Sequence, residues 1–327
     1  MDLGEVTSKI SICVPIYNEE EIITELIDRI LSTIYASKIY NYEIIIVDNC
    51  STDKTLEILN SYLQIHDKNI TVAKHSRNYG YQTSIETCFK LSSGDFVAII
   101  DGDLQDPPEL IPVMIKKMMT NNLNVVYGVR RTRKDSRLNK YLYKSFYRIW
   151  RKLADIEIQE DAGEFAVYDR NAVSIILKFK EKNRFQRGIR AYIGLKQEPF
   201  PYDRDARQIG VSKFHLTDQF KLALDGIFSF SLAPIRLIIL IGFSIFSVSF
   251  LLAVTSLGLK LLNMINSDLY FGQMAAGLVQ IFFVFTMLFG VVILILGIIG
   301  EYLGRIYDEV RNRPVIIQTL NGNDNLH

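Results

Sequence analysis

Phe96-Val97-Ala98-Ile99-Ile100-Asp101-Gly102-Asp103-Leu104-Gln105-Asp106-Pro107-Pro108 decides the fold: a short apolar run opens directly into an acidic turn that two prolines close. An uninterrupted apolar stretch of this length, rich in β-branched residues, reads as a strand buried on both faces. The same design recurs upstream. Ile10–Ile16 leads into Tyr17-Asn18-Glu19-Glu20, and Glu43–Val47 leads into Asp48-Asn49-Cys50-Ser51-Thr52-Asp53. Ile70–Ala73 and Val125–Tyr127 are two further apolar runs of strand length. Between them the apolar spacing turns helical, as in Ile22, Ile23, Leu26, Ile27, Ile30 and Leu31, or in Leu56, Leu59 and Leu63 after Ser51 or Asp53, either of which suits a cap.

Strands alternating with helices imply right-handed crossovers and an α/β fold whose mainly parallel sheet carries helices on both faces. Such sheets bind ligands beyond the carboxyl ends of their strands. All three acidic turns fall at those ends, along one edge, where a nucleotide could lie across them. Singly, each has a plainer reading: Asp48 as a turn residue, Asp53 as a helix cap. Their coincidence with Asp101 and Asp103 is what those readings leave unexplained.

The 327-residue chain balances 37 Lys and Arg against 36 Asp and Glu, so no global field points to nucleic acid. Cys13, Cys50 and Cys88 are odd in number and form no C-x-x-C pair, which argues for free buried thiols in a reducing compartment. Met1 to Lys9 is polar and acidic, without the order of a signal peptide, so the first domain is expected in the cytoplasm.

Apolar residues concentrate after Pro234. Residues 237–258 and 275–299 are each free of charge and long enough to cross a hydrocarbon core of about 30 Å at about 1.5 Å per residue. Lys213, Lys221 and Arg236 precede the first span and Arg305, Arg311 and Arg313 follow the second, while the loop between holds only Lys260 as a basic residue. The positive-inside rule then keeps both ends cytoplasmic. The expected organisation is a cytoplasmic domain over 1–212, an interfacial amphipathic helix over 213–236, spans over 237–258 and 275–299 joined by an external loop at 259–274, and a cytoplasmic tail over 300–327. Within the first domain, 130–152 crowds Lys and Arg against the single acid Asp135, interleaved with Tyr141, Phe146 and Trp150. That composition fits either a membrane-surface helix or a solvated basic face.

Two carboxylates one residue apart, where a strand opens into a turn, can converge on a hard divalent cation. Mg²⁺ or Mn²⁺ takes oxygen ligands and keeps positions for substrate phosphates. A cation there would neutralise a departing diphosphate.

At these residues the chain resembles the family-2 glycosyltransferases, and within them the polyisoprenyl-phosphate branch that includes bactoprenol glucosyltransferases and dolichol-phosphate mannose synthases. The likeness runs from Ile10 to Arg313. It is carried by Pro15-Ile16-Tyr17-Asn18-Glu19-Glu20, Ser76-Arg77-Asn78-Tyr79-Gly80, the acidic turn through Leu110, Tyr127-Gly128-Val129-Arg130, Asp161-Ala162-Gly163-Glu164-Phe165, Arg184-Phe185-Gln186-Arg187-Gly188, Tyr202-Asp203-Arg204 and Arg207-Gln208-Ile209-Gly210-Val211-Ser212-Lys213. The paired spans match the bactoprenol type.

The resemblance implies a glycosyltransferase A-type fold and an inverting hexosyltransferase, with glucose from UDP-glucose as the default donor and undecaprenyl phosphate or a related polyprenyl phosphate as acceptor. It implies that Pro15, Tyr17, Glu19, Asp48, Asp101 and Arg130 hold the nucleotide sugar. Asp101, Asp103 and Gln105 would gather around Mg²⁺ or Mn²⁺. Arg187, Arg207, Ser212 and Lys213 would meet the acceptor phosphate, with Asp103, Asp161, Arg207 and Lys213 nearest the chemistry. For Asp161 two roles stay open, a base or a positioning group; a phosphate acceptor with second pKa about 6 needs little deprotonation, which favours positioning. Arg187 and Arg190 fit a structural role equally. The setting is a cell membrane, multi-pass, with the catalytic domain on the cytoplasmic side; a homo-oligomer is compatible. A processive polysaccharide synthase would carry Q-x-x-R-W and more spans, whereas Gln186-Arg187-Gly188-Ile189-Arg190 lacks that motif. An inactive membrane scaffold would not need Asp101, Asp103 and Gln105 intact. Three departures touch the sugar pocket: Asn49 and Glu164 where relatives carry Asp, and Gly80-Tyr81-Gln82-Thr83-Ser84 in place of Gly-Lys-Glu-Ala-Ala.

Overall fold

The computed structural model describes residues 8–39, 41–65, 69–131, 159, 162–182, 184–204, 238, 240–245, 247–248, 251 and 273–319. They form two compact units, one built on a sheet and one on helix. In the first, β1 (Ile10–Ile16), β2 (Tyr42–Asp48), β3 (Ile70–His75) and β4 (Phe96–Ile99) alternate with α1 (Ile23–Ala36), α2 (Thr55–Ile65) and α3 (Tyr81–Leu91). A 3₁₀ turn at Pro108–Leu110 leads into α4 (Ile111–Asn121) and β5 (Val125–Arg130). After them come β6 (Ala162–Asp169), α5 (Arg170–Ile176), α6 (Gln186–Tyr192), β7 (Gln197–Tyr202) and, past the second unit, β8 (Ile317–Thr319).

The sheet order is β7-β5-β6-β4-β1-β2-β3-β8. Strand β1 pairs in parallel with both β2 and β4, and β2 with β3, so the expected parallel block stands at the centre. Around it the sheet is mixed. Strand β6 enters antiparallel between β4 and β5, β7 runs parallel to β5 on one edge, and β8 runs antiparallel to β3 on the other. The pattern of β6 hides its role: Gly163 and Glu164 break an apolar run, yet every residue from Ala162 to Tyr168 is buried. Strand β7 carries Pro199 and Pro201, which fits its place on an edge, where a missing N–H costs no ladder bond.

Alternation along the strands divides the core between two faces. Ile10, Ile12, Val14, Ile16, Ile44 and Ile46 join the cluster under α1 and α4, built from Ile23, Leu26, Ile27, Ile30, Met114, Ile115 and Met118. The intervening Cys13 faces the other way, its thiol 3.7 Å from the carbonyl of Cys88 in α3. All three cysteines are free; Cys13 and Cys88 are buried, Cys50 half-buried.

One detail of β1 shapes the site. Its ladder with β4 ends at Cys13 and Ile99, so Pro15 lies past the last pair and its ring interrupts nothing on that side. Ile100 N–H still donates to the Cys13 carbonyl at 3.0 Å, and the turn that follows packs against the end of β1. Gly102 makes the approach feasible, since a Cβ there would stand 2.9 Å from Ile16 Cγ2 and 3.1 Å from the Pro15 carbonyl.

The second unit holds α7 (Gln273–Arg311), 39 residues and about 60 Å long at about 1.5 Å per residue. Within it Met287–Arg311 is long and apolar enough to cross a membrane by length and composition, with no part of its apolar window buried. Phe285, Met287, Phe289, Ile293 and Leu296 are all exposed, the opposite of a soluble core helix. The described residues between 238 and 251 are helical, but most of the first expected span lies outside the described residues, as do 132–158, the expected interfacial helix at 213–236 and the loop at 259–272.

The tail after α7 returns to the sheet. Ile317, Gln318 and Thr319 pair with His75, Lys74 and Ala73, and Ser76 N–H donates to the Ile316 carbonyl at 3.1 Å. Removing everything after Arg313 strips β3 of its outer partner and exposes a row of unpaired backbone groups. Such a truncation should melt at lower temperature and aggregate with rising concentration; an unchanged melting curve would show that β8 contributes nothing.

Candidate functional site

Because β1, β2 and β4 are parallel, their carboxyl ends lie side by side and deliver three loops to one edge. In each a non-glycine residue adopts the left-handed conformation: Asn18 at φ 56°, Cys50 at φ 65° and Leu104 at φ 58°. Left-handed backbone costs roughly 1–2 kcal/mol per non-glycine residue, so its repetition here marks loops whose shape the surroundings dictate.

The first two loops are stitched together. Asn18 N–H donates to Ser51 Oγ at 2.8 Å, and Asn18 Oδ1 accepts from Thr52 N–H at 2.7 Å. Glu19 N–H donates to Thr55 Oγ1 at 2.8 Å, while Asp53 Oδ1 accepts from the backbone and hydroxyl of Thr55 at 3.0 and 2.6 Å. Asp53 thus serves the start of α2, the plainer of its two expected roles. Asp48 is fully buried at the end of β2 and accepts from both the N–H and the hydroxyl of Ser51. Burial pushes its carboxyl above the ordinary range, against those hydrogen bonds.

Asn49 holds the third strand to this edge. Its Oδ1 lies 3.1 Å from His75 Nδ1 and accepts from Tyr79 N–H at 2.9 Å, while its Nδ2 donates to Asn78 Oδ1 at 2.9 Å. A carboxylate at this position could accept twice but could not donate to Asn78, so the amide fits where an Asp would leave one partner unmet. His75 is buried, with Nε2 2.9 Å from Thr87 Oγ1. Burial lowers its pKa from 6.5 to about 4, so the ring is neutral in the folded protein.

The acidic turn after β4 is the most charged part of the edge. Tyr81, at the start of α3, donates its hydroxyl to Asp101 Oδ1. Arg204, just past β7, places Nη2 3.0 Å from Asp101 Oδ2 and 3.5 Å from Asp103 Oδ2, with Nε 3.1 Å from Asp106 Oδ1. Tyr202 donates to the same Asp106 oxygen at 2.6 Å. Burial first, and then the charge of Asp101, push the Asp106 carboxyl up to about 7, with Arg204, the Tyr202 hydroxyl and Arg130 pulling the other way. The N–H of Gln105 donates to Asp103 Oδ1 at 3.2 Å and tightens the turn.

A polar wall stands beside the acids. Glu164 of β6 accepts from Arg187 Nε at 3.1 Å and from Gln82 Nε2 at 3.3 Å, and Gln82 Oε1 accepts from Gln186 N–H at 2.8 Å. Arg190 is buried, stacks 4.0 Å over Tyr127 and donates to the Gly163 carbonyl. Arg190 is thus packed against Tyr127 and Gly163, whereas Arg187 is half-buried and tied to Glu164.

The Glycosyl transferase family 2 profile matches residues 11–177, which contain all three loops, the acidic turn among them. An uncharacterized glycosyltransferase of Bacillus subtilis, YkcC, is 38% identical over 94% of this chain and 92% of its own length. The bactoprenol glucosyl transferase of Shigella phage SfII is 35% identical over 94% of this chain and 97% of its own. The chain belongs to glycosyltransferase family 2. Among solved structures, a Pyrobaculum calidifontis mannosyltransferase in complex with GDP-Man and Mn²⁺ shares 20% identity, with a TM-score of 0.47 over 66% of this chain and 64% of that one.

In this transferase the structure brings together Pro15, Tyr17, Glu19, Asp48, Asp101, Asp103, Gln105 and Arg130 at the carboxyl ends of the strands, with Arg187 in the wall beside them. Asp161, Arg207, Ser212 and Lys213 lie outside the described residues. Sequence reasoning missed Tyr81, Asp106, His75 and Arg204 as parts of the site. Asp106 and Arg204 stood inside quoted motifs; nothing in their spacing announced that β7 would carry Arg204 onto the acidic turn.

Two outcomes follow from this geometry. A Cβ at residue 102 would crowd the Ile16 side chain at 2.9 Å and the Pro15 carbonyl at 3.1 Å, so Gly102→Ala should cost about 1–3 kcal/mol of unfolding free energy, read by chemical denaturation; no loss would mean the turn is free to move away. For His75, the unfolded chain takes up a proton near pH 6.5 and the folded chain only near 4, so stability present above 6.5 is lost as pH falls through that window. His75→Gln should melt earlier at neutral pH yet lose less between pH 6.5 and 4 than the native chain; equal slopes would contradict the assignment.

Proposed function

We propose that this transferase moves a hexose, with glucose from UDP-glucose as the default, onto undecaprenyl phosphate or a related polyisoprenyl phosphate at the cytoplasmic face of a cell membrane. The single observation that carries the reading is the near full-length similarity to bactoprenol glucosyl transferases, including the stretch that holds α7. The acidic edge and a helix fit to cross a membrane support it. Confinement to the interface would raise the encounter frequency with a lipid phosphate and restrict its orientation.

The donor set suits a divalent cation. One cationic nitrogen, Arg204 Nη2, already sits within 3.5 Å of both Asp101 and Asp103, so the two carboxylates converge on one point. Among the described residues no three His, Cys, Asp or Glu side chains form a closed cage. Mg²⁺ commonly needs only one or two carboxylates and takes the rest from water and substrate phosphates. Mg²⁺ or Mn²⁺ held by Asp101, Asp103 and Gln105 would supply positive charge to the departing diphosphate.

The remaining work falls to the chain. Pro15, Tyr17, Glu19 and Asp48 hold the nucleoside, Asp48 as a buried acceptor already ordered by Ser51. Arg130 serves the donor phosphates. Glu164, fixed between Arg187 and Gln82, faces the sugar's hydroxyls as an aligned acceptor. Arg187, Arg207, Ser212 and Lys213 meet the acceptor phosphate, Arg as a planar fork and Lys as a mobile charge. A phosphate oxygen attacks the anomeric carbon as the carbon–oxygen bond to the diphosphate breaks, and configuration inverts. Asp161 positions the reactants, since the acceptor is already largely ionised at neutral pH.

Membranes holding the protein, supplied with undecaprenyl phosphate and a panel of radiolabelled sugar nucleotides, should yield organic-extractable label from one donor. Asp103→Asn should lower that yield by about 10²–10³-fold, the range seen when one transition-state charge contact is lost. Asp161→Asn should reduce turnover while sparing nucleotide affinity. Label that never enters the organic phase, from any donor, would refute the lipid acceptor.

A further inference from the structure

Three carboxylates crowd the acidic turn, and a single guanidinium of the chain itself pairs with all of them. The Arg204 side chain is 18% exposed; Asp101, Asp103 and Asp106 are 20%, 14% and 1% exposed. In so little water an unpaired set of acids would be strongly penalised, which gives the guanidinium its place.

The two ends of that guanidinium do different things. Nε holds Asp106, which Tyr202 also grips from the last position of β7, two residues before Arg204. Both contacts are short, and their acceptor is buried. Nη2 reaches past Asp106 to Asp101 and Asp103, the second contact longer at 3.5 Å. One end is therefore an anchor and the other spans the position a cation would take.

We propose that Arg204 is an exchangeable counter-cation: in the metal-free protein its Nη2 fills the cation position between Asp101 and Asp103, and it gives up that position when a divalent cation enters with the donor diphosphate. The anchor on Asp106 stays. The freed N–H groups, pivoting about Nε, then find a phosphate oxygen, the acceptor for which guanidinium geometry is best suited. This deepens the proposed function and rests on its reading of Asp101 and Asp103 as metal ligands.

The exchange makes metal and nucleotide bind as a couple. Metal alone must expel a cation that has nowhere better to go. Metal arriving with a diphosphate brings Arg204 a new anion, so each ligand strengthens the other, and the coupling is reciprocal. Arg204 is a positioning residue in this scheme, and its signature lies in binding rather than turnover.

Mn²⁺ titrations of the detergent-solubilised full chain, followed by the free-ion electron paramagnetic resonance signal with and without UDP, test this directly. Arg204→Gln should bind Mn²⁺ alone more tightly, by about tenfold, the equivalent of one lost charge-assisted contact, and its gain from added UDP should shrink. Arg204→Lys, which keeps the charge without the fork, should fall between, and it stands in if the Gln variant does not fold. Mn²⁺ affinity unchanged or weakened in both variants, with native binding still abolished by Asp103→Asn, overturns the exchange and leaves the metal site intact. Absence of Mn²⁺ binding to the native chain even with UDP overturns the metal reading itself, and the exchange with it.

Discussion

Asp101, Asp103 and Asp106 are brought within reach of a single guanidinium in a space with little water to screen them. Charge of one sign cannot be gathered this way without a counter-charge, and the surrounding architecture supplies it. Arg204 spans all three acids, Tyr202 and Tyr81 donate hydroxyl protons to the outer two, and Arg130 adds positive charge nearby. The same repulsion is what makes the turn chemically useful, because a site that needs positive charge will accept a cation together with the anion that accompanies it.

That concentration depends on register. The ladder between β1 and β4 stops at Cys13 and Ile99, which lets the acidic turn fold against Pro15 and Ile16 through Gly102. The continuing ladder between β1 and β2 carries Asp48 level with Ile16, so the second acidic loop arrives at the same height. Antiparallel β6 then delivers Glu164 beside Gln82 and Arg187, and parallel β7 delivers Tyr202 and Arg204 from the far side of β5. Five strands from distant parts of the chain, β1, β2, β4, β6 and β7, thus converge on one edge of the sheet.

The two units treat their apolar residues in opposite ways. The sheet unit buries its apolar residues on both faces, whereas α7 displays Phe285, Met287, Phe289, Ile293 and Leu296 to its surroundings. Under the proposed function, the apolar surface exposed along a helix of this length would meet membrane hydrocarbon. The residues that follow α7 in sequence belong to the sheet unit, where β8 completes the sheet beside His75.

Much of this was legible in the residues alone. Apolar runs that open into acidic turns identify strands whose ends carry chemistry, because buried strands must be apolar and ligand-binding loops need not be. Ile10–Ile16 shows it plainly: the expected and observed strand have the same bounds. The uncharged run over 275–299 likewise foretold a long apolar helix, since nothing polar interrupts it. Tertiary structure alone decided the rest. Strand β6 was hidden because Gly163 and Glu164 break its apolar pattern, and β8 because three residues carry no periodicity; each is a strand only by virtue of the neighbour that pairs with it. Asn49 looked like a lost charge until His75, Tyr79 and Asn78 surrounded it. Arg204 lies some hundred positions from the acids it pairs with, and attraction between charges depends on distance through space, which the order of residues along a chain does not record.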